Sequence, residues 1–220
     1  MKAIGQLILK EFKLELRRKA VVSGLALYLF STIFISYLAF ALRQNLITPL
    51  VWSALFWITI LFTAINTIAK SFIGEKRGLD IYFYSIASPV EVLLSKIIYN
   101  FLLCLLLSLT GYLLFVLFLN DPIQDKLTFV VTLILASGGF ASSLTLLSGI
   151  ASKASNSNIL MAVLSFPVII SILLIVIRIT KNCMDGLDPS VSYDRLLSLL
   201  AINALVAAIS YLLFPFTWKS

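Results

Sequence analysis

An all-α membrane protein with six transmembrane helices is the fold class this sequence predicts, and three observations predict it. Six apolar stretches, at about 21–41, 50–69, 97–119, 127–151, 159–178 and 196–216, each approach the roughly 20 residues needed to cross a hydrocarbon core of about 30 Å. Hydrophobic residues make up 60% of the 220, and the mean hydropathy is +1.05, a composition that fits a polytopic membrane protein. The stretches are apolar all round rather than on one stripe, so lipid suits their whole circumference. Helices satisfy their own backbone groups in lipid. The short alternating strands of a barrel are absent. The whole chain, 1–220, reads as a single transmembrane domain.

Charge sets the expected orientation. Of the 17 Lys and Arg, twelve fall in the segment before span one, the connection between spans two and three, the turn after span four and the C-terminus. The other set of connections holds five: Arg43, Lys126, Arg178, Lys181 and Arg195. The positive-inside rule then places both termini in the cytoplasm. The acidic residues divide evenly, so the whole net charge of +7 sits on the cytoplasmic side, facing anionic headgroups. No soluble basic domain exists to hold a duplex, so nucleic acid is not an expected partner, whereas membrane lipid is. No cleavable leader is expected, because the basic stretch is long and no small-residue cleavage site follows span one.

Residues 1–20 read as an amphipathic elbow helix. Lys2, Gln6, Lys10, Lys13 and Arg17 share one side, and Ile4, Leu7, Ile8 and Phe12 lie across from them. Such a helix rests in the interface with its apolar side in lipid. A plain topology signal is the alternative. Thr48-Pro49 caps and opens span two. Trp52 and Trp57 fall in its outer half, where indoles favour the headgroup level.

The connection 70–96, KSFIGEKRGLDIYFYSIASPVEVLLSK, is the longest segment outside the spans. Gly78 interrupts its first half, and Leu79–Ile86 is short enough for one helix with exposed aromatics. Ser88-Pro89-Val90-Glu91 then opens the next helix as a capping box with proline at the first position. This cytoplasmic helix–turn–helix is expected to dock on a cytoplasmic protein, with Glu75, Lys76, Arg77, Gly78, Leu79, Tyr82, Tyr84, Ser88, Pro89 and Glu91 as its contact residues. Burial of its aromatics among headgroups is the alternative.

Span four carries Ser137, Gly138, Gly139, Ala141 and Ser143. Small residues four apart, as in Ser137/Ala141 and Gly139/Ser143, let helix backbones approach closely. A substrate-lining role is the second reading of this stripe. Pro167, at the centre of span five, is expected to kink it. The outer loop, about 179–195, is dominated by turn chemistry at Asp185-Gly186 and Asp188-Pro189. Cys104 is mid-span and Cys183 falls in that loop, so no disulfide joins them. Asn66, Asn100 and Asn203 are expected to hydrogen-bond between helices.

The chain has no histidine. That excludes Ser-His-Asp hydrolysis, HExxH zinc chemistry and imidazole ligation of haem by this chain. GxxxxGK[ST] and CxxC are also absent, which removes P-loop nucleotide binding and dithiol redox chemistry. Within the six apolar stretches no carboxylate or ammonium is available as a proton relay. The chain is not expected to be an enzyme, and no catalytic, cofactor or metal residue is assigned. Work done on a solute must come from a partner.

LKEFKLELRRK before span one, then Lys70-Ser71-Phe72, Glu75, Gly78-Leu79, Ser88-Pro89 and Lys96, resembles the CcmB family, the permease subunit of the cytochrome c maturation ABC transporter, or haem exporter protein B. The stretch GGFASSLTLLSGIASKASNSNILMAVLSFPVI resembles that family's fourth and fifth spans. The family often has a second proline soon after the one matching Pro167; here Val168, Ile169 and Ile170 follow. The resemblance implies an ABC ATPase subunit, a second six-span haem-handling membrane subunit, a small single-span subunit and a periplasmic haem chaperone as partners. It implies that ATP and haem belong to those partners, and that the bacterial inner membrane is the location. An ABC exporter permease for lipid, glycan or drug, and a non-transporting membrane scaffold, are the competing functions.

Overall fold

The computed structural model describes residues 2–17, 19–40, 47–68, 88–152 and 157–219. Among the described residues all regular structure is helical. Helix α1 spans Lys2–Arg17, α2 Lys19–Phe40, α3 Pro49–Ile68, α4 Pro89–Leu119, α5 Lys126–Ala151, α6 Ser157–Met184 and α7 Tyr193–Lys219, with a short 3-10 turn at Pro189–Ser192 before α7. Six of the seven, α2 to α7, are long and apolar enough to cross a membrane.

Caps fix where several helices begin. At α3, Thr48 accepts from the Val51 amide at 3.3 Å, and Pro49 fills the first position. At α4 the expected box is formed. The Ser88 hydroxyl accepts from the Glu91 amide at 3.3 Å, and the Glu91 carboxylate accepts from the Ser88 amide at 3.0 Å. Asp125 caps α5 by accepting from the Thr128 amide at 3.1 Å. Each cap satisfies backbone donors that the first helical turn leaves orphaned.

Six crossings bring both ends of the chain to one end of the bundle, termed here the terminal end. The connections after α4 and α6 meet at the opposite end. There the Gln124 and Asp125 amides both donate to the Cys183 carbonyl at 3.1 Å, and the Gln124 side chain donates to the Met184 carbonyl at 3.0 Å. Gly186 makes the turn that follows with φ +65°, a left-handed conformation that favours glycine.

Helix α5 is the hub, packed against α4, α6 and α7, and α3 packs against α2, α4 and α6. An aromatic cluster fills the space between α3, α4 and α5. Trp52 stacks on Phe56, Phe115 meets both edge-on, and Trp57 packs on Phe140. Trp52 and Trp57 are therefore core residues, about 1% and 0% exposed, and not the headgroup anchors their position in span two implied. Trp57 also donates to the Thr180 hydroxyl on α6 at 2.8 Å. A buried indole needs an N–H partner, and α6 supplies it. Cys183 lies in the last turn of α6 rather than in the loop, and both cysteines are buried free thiols.

Candidate functional site: an end clamp and a neutral seam

Two constellations stand out, at different depths. The first is at the terminal end, where α1 lies along the start of α4. Lys96 is 2% exposed, and its ammonium stands 3.5 Å from the Glu11 carboxylate. One turn further along α4, Tyr99 meets the Phe12 ring edge-on at 4.9 Å. Glu11 also pairs with Lys10 at 3.3 Å. Sequence reading placed Lys96 in the connection, outside the spans. Helix α4 instead starts at Pro89 and carries Lys96 into the protein, where α1 shields it. It also sent the apolar side of α1 into lipid, whereas Phe12 of that side packs on α4. A sequence signal for this clamp exists. Val92, Lys96 and Tyr99 follow at helical spacing and share one face of α4, and a basic residue on an apolar face demands a carboxylate nearby.

The second constellation runs along α5. Ser137 faces Ser108 of α4, hydroxyl to hydroxyl at 3.4 Å. Thr145 accepts from the Asn100 side chain at 2.8 Å. On the other side of α5, the Asn203 amide of α7 donates to the Leu135 carbonyl at 2.8 Å. Asn100 and Asn203 thus bond between helices as expected, while Asn66 is exposed on α3. Gly139 is what lets α7 come so near. A Cβ built there would stand 2.6 Å from Asn203 Oδ1 and 3.1 Å from Ile172 of α6. A Cβ on Gly138 would meet only ordinary contacts, the nearest at 3.7 Å. Ala141 is fully buried. Bilayer helices gain no hydrophobic drive from meeting each other, so close van der Waals approach and hydrogen bonds worth about 0.6 kcal/mol each hold such a seam.

The remaining sequence candidates fall as follows. Ser88, Pro89 and Glu91 form the start of α4. Glu75, Lys76, Arg77, Gly78, Leu79, Tyr82 and Tyr84 lie outside the described residues. Pro167 lies inside α6, which continues through it. It shares with Ser143 a cavity of about 600 Å³ bounded by α5, α6 and α7. Among the described residues no group of three or more His, Cys, Asp or Glu side chains is placed to hold a metal ion. The arrangement comprises an ion pair on a buried lysine at the terminal end and neutral hydrogen bonds at depth.

No curated protein and no solved structure matches the chain. A family model described as CcmB protein matches residues 2–217, which is nearly all of it. With six apolar helices and that match, the chain belongs to the CcmB family, whose members are multi-pass inner-membrane permease subunits of the cytochrome c maturation ABC transporter.

Proposed function

We infer that this chain converts ATP-driven motion of a partner ATPase into rearrangement of its membrane helices, and so drives release of the haem-loaded periplasmic chaperone. ATP turnover is assigned to the ATPase, and haem handling to a second six-span subunit with a small single-span helper. Both termini, and hence the clamp, face the cytoplasm. Segment 70–96 is the coupling element, with Glu75, Lys76, Arg77, Gly78, Leu79, Tyr82 and Tyr84 as docking residues, and α1 is the elbow.

The observation that carries this reading is the junction of α4 with α1. Helix α4 begins at a closed capping box within the coupling segment and is gripped about two to three turns later by Glu11 and Phe12. Displacement of the segment therefore moves a rigid helix end, together with α1, rather than bending a loop. Helix α4 then passes the motion to α5 through Asn100–Thr145 and Ser108–Ser137. The twelve-to-five distribution of cations supports the orientation. The absence of histidine and of a P-loop motif in the sequence supports the division of labour.

The test is copurification. Glu75→Lys combined with Tyr82→Ala and Tyr84→Ala is expected to weaken recovery of the ATPase while membrane insertion and expression are kept. Undiminished recovery at normal expression overturns the assignment of the coupling segment.

A further inference from the structure

Helix α1 turns one face to α4 and leaves the other exposed, and it sorts its charges in doing so. Its two carboxylates, Glu11 and Glu15, lie one turn apart on the α4 side and are half-buried. Glu11 meets Lys96 there at 3.5 Å and also holds Lys10 at 3.3 Å. Lys13 and Arg17 are exposed, and Leu9 is 60% exposed. These three follow at intervals of four and line one strip on the side opposite the carboxylates. The strip joins two cations to a bare leucine, and neither carboxylate of α1 reaches it. Its chemistry calls for a partner that is anionic and amphipathic.

Two contacts fix the depth of the strip. Helix α2 begins at Lys19, two residues after Arg17, and its apolar window opens at Ser23. That is four residues, or about 6 Å, from the start of α2, so α1 ends at the edge of the hydrocarbon. The contacts with α4 then set which edge of α1 is the deeper. Phe12 meets Tyr99, which lies three residues, or about 4.5 Å, farther along α4 than Lys96, the partner of Glu11. The Phe12 edge therefore faces the bilayer core. Leu9, three residues before Phe12, carries that edge round to the exposed strip. Lys13 and Arg17 stand beside it, farther toward water.

We propose that the strip of Leu9, Lys13 and Arg17 binds anionic phospholipid of the surrounding leaflet, with Leu9 at the acyl boundary and the two cations on headgroup phosphates. Depth chooses lipid over protein. An acidic protein in the water phase would meet the cations and leave Leu9 turned toward acyl chains, whereas an anionic phospholipid meets both. The face of α1 that touches lipid is thus the basic one, because α4 has taken the apolar side. Each basic residue at an anionic surface contributes about fivefold to lipid preference. The proposal rests on the reading of α1 as the elbow at the membrane surface, and not on the coupling segment.

The full chain, with whatever subunits copurify, is made with Leu9→Cys and labelled there with an NBD fluorophore; Cys104 and Cys183 are buried, so the probe reports position 9. Phosphatidylcholine nanodiscs receive doxyl-labelled phosphatidylglycerol in one arm and doxyl-labelled phosphatidylcholine in the other, at equal mole fraction. Quenching should be stronger with the anionic lipid. Lys13→Gln should cut that preference about fivefold, Lys13→Gln with Arg17→Gln should abolish it, and high salt should shrink it. A probe at Leu117→Cys, 74% exposed near the other end of α4, should be quenched equally by both lipids. Equal quenching at position 9 by both lipids overturns the proposal and leaves the elbow reading standing, as does a preference that survives the double substitution. No quenching by either lipid overturns both. If the double variant then also loses the ATPase, the strip is a protein interface.

Discussion

The terminal-end clamp and the α5 seam do the same job, joining one helix to another, with different chemistry. The clamp joins α1 to α4 with an ion pair and an aromatic contact. The seam joins α5 to α4 and α7 with hydroxyls, amides and a glycine. Depth accounts for the difference. At the end of the bundle α1 covers Lys96, and Glu11, 18% exposed, still reaches solvent, so charge is tolerable. At mid-bundle a charge would face hydrocarbon at a cost of several kcal/mol, and neutral amides serve instead. The lesson is mechanical as well. An ion pair at an end can be broken and remade from the water side, whereas a seam at depth shifts only by repacking.

The largest expected effect breaks the seam. Gly139→Leu places a branched side chain where even a Cβ would stand 2.6 Å from Asn203. Overpacking costs about 1–3 kcal/mol and forces α7 and α6 outward. Cytochrome c maturation in cells should fall to background while the ATPase still copurifies with a well-expressed variant. Full maturation by such a variant would show that the seam does not transmit motion.

The clamp is sharpened by a pair of substitutions. Glu11→Gln removes a carboxylate beside the buried Lys96 ammonium and is expected to lower thermal stability in detergent by about 1–3 kcal/mol. Lys96→Met replaces the buried cation with an apolar side chain of similar length, and stability should stay within about 1 kcal/mol of wild type or rise. Maturation should drop in both. If Lys96→Met matures cytochrome c normally, the ion pair is not part of the coupling path.

A smaller effect is expected at the start of α4. Ser88→Ala opens the capping box and should cost about 1 kcal/mol, read as faster hydrogen exchange in the first turn of α4 with the rest of the helix protected. The smallest lies in the seam. Asn203→Ala removes one interhelical hydrogen bond of about 0.6 kcal/mol but keeps the space beside Gly139 open. A small loss of stability with retained maturation would separate the hydrogen bond from the close approach, and show that the glycine carries the function of the seam.

Among the transmembrane helices, burial divides centre from edge. Within the apolar window of α5, 72% of residues are buried, against 11% in α2 and 17% in α7. Their mean hydropathies, 1.7 for α2, 1.9 for α5 and 2.3 for α7, do not follow that order, so hydrophobicity does not rank them. In lipid both core and surface are apolar, and the amphipathic stripe that marks the inside of a soluble protein is missing.

The sequence by itself determined the fold class, the number of spans, the caps at Thr48 and Ser88, and the presence of small residues along α5. Each of these follows from local chemistry: run length, proline at a first helical turn, or absence of side-chain bulk. It also marked Asn100 and Asn203 as bonding residues, because an amide inside an apolar run needs a partner. Only the tertiary structure decided which partner each one takes. It decided that Trp52 and Trp57 pack inward and that a Cβ has room against Asn203 of α7 at Gly138 but not at Gly139. It turned Lys96 from a loop cation into a buried one by laying α1 across it. Side-chain direction, neighbouring helices and shielding are properties of the assembled bundle, and no window of sequence as long as one span contains them.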